Sequence, residues 1–91
     1  MNISFEIYTI SSAFKESDGK LKIPPAQNSL TYGAARELME QIAKDWESED
    51  GTVEKQIWRN TDTFDSVVRF HGNDGREYMW KLTKQIISKS Y

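Results

Sequence analysis

The sequence predicts an α+β domain in two layers: an antiparallel-rich sheet of about four strands, in the order β-α-β-β-β, with one long helix on one face. Three observations predict it. Apolar residues recur at every second position near the N-terminus, at helical spacing between Thr31 and Trp46, and at every second position again beyond Gly51. Pro24-Pro25 breaks regular structure before the helix, because proline supplies no N–H and fixes its own φ. Gly72-Asn73-Asp74-Gly75 is a hairpin signal between two alternating runs.

In NISFEIYTI, Ile3, Phe5 and Ile7 alternate with Ser4, Glu6 and Tyr8, which predicts a first strand with the odd positions on the core. Asp18-Gly19 marks a turn, and a short extra strand is expected within Lys20–Ile23. Thr31 is placed as an N-cap. Ala35, Leu38, Met39, Ile42 and Trp46 then form one apolar stripe, with Arg36, Glu37, Glu40, Gln41 and Lys44 opposite and Gly51 as a left-handed terminator. TVEKQIWRN, FDSVVRFHG and REYMWKL follow as a three-stranded meander, whose expected core residues are Val53, Ile57, Val68, Phe70, Trp80 and Leu82. The tail KLTKQIISKSY suits either a continued strand or a short final helix.

A chain of 91 residues makes a single domain, 1–91, able to bury only about 60–65% of its unfolded surface. With 37% hydrophobic residues and a net charge of −2 it is too apolar for intrinsic disorder. The lack of cysteine excludes disulfides, thiolate catalysis and sulfur-ligated zinc. MNISFEIYTI lacks the basic and continuously apolar regions of a signal peptide, and no run approaches a membrane span, so a soluble cytoplasmic protein is expected.

Catalytic constellations are weak. A calcium loop started at Asp45 has acids at its first, third and fifth positions, but Asp50 stands where glycine belongs and Gln56 where the closing glutamate belongs. His71 is the only histidine, and no serine elbow accompanies it. Asp62 and Asp65 read first as a turn into the next strand. No catalytic residue, cofactor or metal is therefore assigned, and the expectation is a binding protein without enzymatic activity.

Two sets of residues stand out for binding. Asp45, Glu47, Glu49 and Asp50 crowd the negative end of the helix, where cations are favoured, and could steer a basic protein partner. Tyr8, Trp58, Arg69 and His71 are expected on the sheet face away from the helix, where the structural alternative is cross-strand pairing. A homodimer would cover that face with Tyr8, Trp58, Val67 and Met79 from both copies. In size, charge and element order, over the whole chain, the sequence loosely resembles small phage-encoded inhibitors of host defence, including anti-CRISPR proteins. That resemblance implies an inhibitor of a nucleic-acid-handling host complex, acting through a protein surface. The alternative is a single-stranded RNA- or DNA-binding domain that stacks bases on the open sheet face, against which the net negative charge weighs.

Overall fold

The computed structural model describes residues 1–57 and 65–90, without the side chains of Ser29, Ile57 and Asp65. Trp58, Asp62 and Phe64 therefore lie outside the described residues. The elements run β1 (Asn2–Lys15), β2 (Leu21–Lys22), β3 (Gln27–Leu30), α1 (Tyr32–Trp46), β4 (Gly51–Ile57), β5 (Asp65–Gly72) and β6 (Glu77–Ser90). The α+β class holds, with an antiparallel sheet under one helix, but the sheet has six strands where about four were expected. Its order is β2-β1-β6-β5-β4, with β3 also on β1.

Local chemistry accounts for the connections. Asp18 accepts the Lys20 N–H and Gly19 takes φ +86°, closing the β1–β2 hairpin, so the short extra strand falls where the turn dipeptide placed it. The Gly72–Gly75 turn likewise closes β5 onto β6, with Gly75 at φ +93°. Thr31 caps α1 by accepting the Ala34 N–H at 3.2 Å. Gly51 corrects an expectation. It opens β4 and does not end the helix; a side chain there would meet the His71 carbonyl oxygen and the Phe70 ring carbons.

The core sets Ala35, Met39 and Ala43 of α1 against Tyr8, Ile10, Val68, Phe70, Tyr78, Trp80 and Leu82 of the sheet, with Leu38, Ile42, Trp46 and Val53 packed around them. Trp46 locks the last helical turn, its ring centroid 4.8 Å from Phe70, 5.0 Å from Tyr78 and 5.3 Å from Trp80. Among the described residues no helix is long and apolar enough to cross a membrane.

The long strands decide one open alternative and correct one expectation. The tail is strand, not helix: β6 pairs with β1 over its whole length, from Asn2↔Ser90 to Lys15↔Glu77, without a register shift. And β1 buries its even positions, Tyr8 and Ile10, whereas Ile3, Phe5 and Ile7 point to the other face. The reason lies in the sequence itself. The apolar phase is odd through Ile7 and even from Tyr8 onward, and the helix covers the second half of the strand.

Candidate functional site

The acidic end of α1 is built by the helix stop. The Glu47 N–H donates to the Lys44 carbonyl at 3.3 Å, the Glu49 N–H to the Trp46 carbonyl at 3.1 Å, and the Ser48 hydroxyl to the Asp45 carbonyl at 3.0 Å. Across the gap, the Asn73 N–H donates to the Asp50 carbonyl at 3.1 Å, which ties the turn to the β5–β6 hairpin. Asp45, Glu47, Glu49 and Asp50 are all exposed. Their side-chain partners are neutral: Gln41 Nε2 donates to Asp45 at 2.6 Å and Asn73 Nδ2 to Asp50 at 3.4 Å.

Some acids elsewhere are paired with cations. Lys55 Nζ lies 2.7 Å from Glu40, and this hydrogen bond, with the Coulombic pull of Lys55 and Arg36 behind it, holds the Glu40 carboxyl below its ordinary range. Asp74 is lowered chiefly by the Arg76 backbone N–H, and the Arg76 guanidinium stands 3.0 Å away. None of the four helix-end carboxylates has an ion-pair partner among the described residues. A concavity of about 920 Å³ beside α1, lined by Leu38, Gln41 and Lys44 and bounded by Lys55, reaches Glu47.

The sheet face away from the helix is the second candidate. Continuous register places Glu54, Arg69, Met79 and Ala13 in one row across four strands, and Gln56, Val67, Lys81 and Ser11 in the next. His71 sits between two carboxylates, with Nε2 3.6 Å from Glu54 and Nδ1 3.8 Å from Glu77. Arg69 and Lys81 are exposed and make no ion pair among the described residues. A concavity of about 440 Å³ over Ala13 and Met79 has Lys15 and Leu21 on one side and Arg69 and His71 on the other. Sequence reasoning missed Lys15 there, because its neighbours come from the β2 hairpin and from β6, more than sixty residues away.

Arg69, His71 and Met79 thus occupy the expected face; Val67 lies on it too but is buried, 9% exposed, and not the open apolar surface expected. Tyr8 does not. It is 6% exposed within the helix-side core, donates its phenol hydrogen to Glu6 at 3.5 Å, and meets the Tyr32 ring edge-on at 5.5 Å. Burial first, and Glu6 second, raise its phenol pKa. The error was the one-residue phase change in β1, which moves a side chain to the opposite face. Trp58 is outside the described residues. The acids and the Arg69–His71 pair lie at the same end of the sheet but in different layers, so they do not form one surface. Among the described residues, no three His, Asp or Glu side chains gather as metal ligands.

Compared with protein-family models, with curated proteins and with solved structures, the chain matches none.

Proposed function

We propose that this chain is a soluble, cytoplasmic protein-binding module without catalytic activity of its own, which presents its acidic helix end to a basic protein surface. The observation that carries the proposal is the uncompensated charge: four exposed carboxylates at the negative end of a helix, with no ion-pair partner among the described residues and neutral amides beside Asp45 and Asp50. Like charges at a helix C-terminus cost folding free energy, so a role outside the fold is the economical explanation. Trp46 supports the same reading, because three aromatic contacts fix the last turn and hence the direction in which the acids project. A basic surface that handles nucleic acid is the favoured target, which makes the module an inhibitor of the kind its size and charge suggest.

The test is affinity capture from native cells with the whole chain and with a variant carrying Asp45→Asn, Glu47→Gln, Glu49→Gln and Asp50→Asn. Wild type should enrich a protein that the variant loses, while Arg69→Ala keeps it. Equal capture by wild type and the acid variant would overturn the proposal. Binding of a labelled single strand at 50 mM salt, falling steeply by 200 mM, would move the function to the sheet face and its cations.

A further inference from the structure

Arg69 lies across from Glu54 in the β4–β5 pair, and Lys15 across from Glu77 in the β1–β6 pair, yet neither cation makes an ion pair among the described residues. His71 stands between those same two acids, with Nε2 3.6 Å from Glu54 and Nδ1 3.8 Å from Glu77. Lys15 and Arg69 are therefore two permanent, unpaired charges on the rim of one concavity. Register sets their Cα atoms about 12 Å apart, two strand spacings across the sheet and two residues along it. Long side chains close that gap from both sides, so a single anion held between them satisfies both. The floor is apolar. Ala13 and Met79 lie partly buried in one row, and Leu21, 70% exposed, forms a wall beside Lys15. The volume, about 440 Å³, falls within the range of small-molecule sites, about 300–1,000 Å³. The site lies at the hairpin end of β5, with His71 about 20 Å along the strand from Asp65, where the described chain resumes.

We infer that this concavity binds a phosphate monoester carried on a flat apolar body, the size of a single nucleotide. The phosphate bridges Arg69 and Lys15, and the body lies on Met79 and Ala13 against Leu21. A phosphate fits better than a carboxylate, because its three acceptor oxygens serve the guanidinium fork and the ammonium together. A flat ring suits a floor made by a sheet surface, and the Met79 thioether makes favourable contact with an aromatic system. Glu77, also on the rim, offers an acceptor to an amino group such as adenine carries. Lys81 lies on the same face outside the lining residues, exposed and likewise without an ion pair among the described residues. It separates a built site from general surface charge.

Titration of the whole chain with AMP, read by amide NMR shifts, tests this beside adenosine and inorganic phosphate. AMP should shift the Ala13, His71 and Met79 amides saturably with a Kd of about 1 mM or tighter. Adenosine and phosphate, each lacking half of the ligand, should bind at least about tenfold more weakly. Arg69→Ala and Lys15→Ala should each weaken AMP about tenfold, the loss of a charge-assisted hydrogen bond, while Lys81→Ala leaves it unchanged. All three side chains are exposed, so the amide spectrum of each variant should otherwise match wild type. No saturable shift at about 5 mM AMP overturns the inference. Phosphate that binds as well as AMP overturns it too, as does Lys81→Ala weakening AMP as much as Arg69→Ala. The four-amide variant of the helix end should bind AMP as wild type does, so this result and the capture experiment can fail independently.

Discussion

At Gly51 the β4 backbone passes so close to β5 that an added Cβ would stand 2.8 Å from two ring carbons of Phe70, a fully buried side chain. Gly51→Ala should therefore destabilise the domain by about 1–3 kcal/mol through overpacking. Gly33 is the contrast: nothing lies within 4 Å of its missing Cβ, and it stands in the first turn of α1. Gly33→Ala should stabilise by about 0.4–1 kcal/mol, because the unfolded chain loses freedom that the helix never uses. Thermal melts of the two variants should move in opposite directions. The tyrosines give a pH prediction at the same scale. The Tyr78 phenol pKa is raised by its 2.7 Å hydrogen bond to Glu16 and then by burial, and Tyr8 is raised by burial first. The folded state holds these protons more tightly than the unfolded chain, whose tyrosines ionise near pH 10. Their contribution is complete below that pH and disappears as the pH rises through the folded-state values. Melting temperature should fall in that alkaline window, and Tyr78→Phe should lessen the fall.

The helix shows which elements were legible. Thr31, the stripe from Ala35 to Trp46 and the absence of interior proline marked its start and face, because these act within a few residues, whereas its end was placed too late, at Gly51. The two hairpin turns were legible for the same reason, since Asp18-Gly19 and Gly72–Gly75 state their own geometry. β3 was not, because Gln27–Leu30 carries no alternation and becomes a strand only beside Tyr8 and Ile10. The tail of β6 was ambiguous since its partner, the start of β1, is more than eighty residues away. The face of β1 was misread from its first seven residues alone; the helix selects the second half. Of the candidate site, the acids were placed by local sequence, whereas Lys15 joined Arg69 and His71 only through the sheet. Burial refines the stripe as well. Met39 is 3% exposed and Leu38 only partly buried. Met39→Ala should cost about 2–5 kcal/mol and Leu38→Ala distinctly less, measured by denaturant unfolding with an unchanged m-value.

Over the whole molecule, the helix, the sheet and the turn at Trp46 bring four acids to one end of a chain whose other end is the β1–β6 pair. Neutralising Asp45, Glu47, Glu49 and Asp50 to their amides should keep the Gln41 and Asn73 contacts, leave the fold intact and raise stability. The gain is at most about 0.3–1 kcal/mol, at low salt, for each charge nearest the helix terminus. A stability gain alone fits solvated surface charge; a gain joined to a binding loss fits a recognition patch. The measurement that separates them is the association rate of the captured partner with wild type and with the four-amide variant, between 50 and 200 mM salt. Steering by the acids predicts a wild-type rate that drops with salt and a variant rate that is slower and nearly flat. Equal rates with equal salt dependence would contradict it.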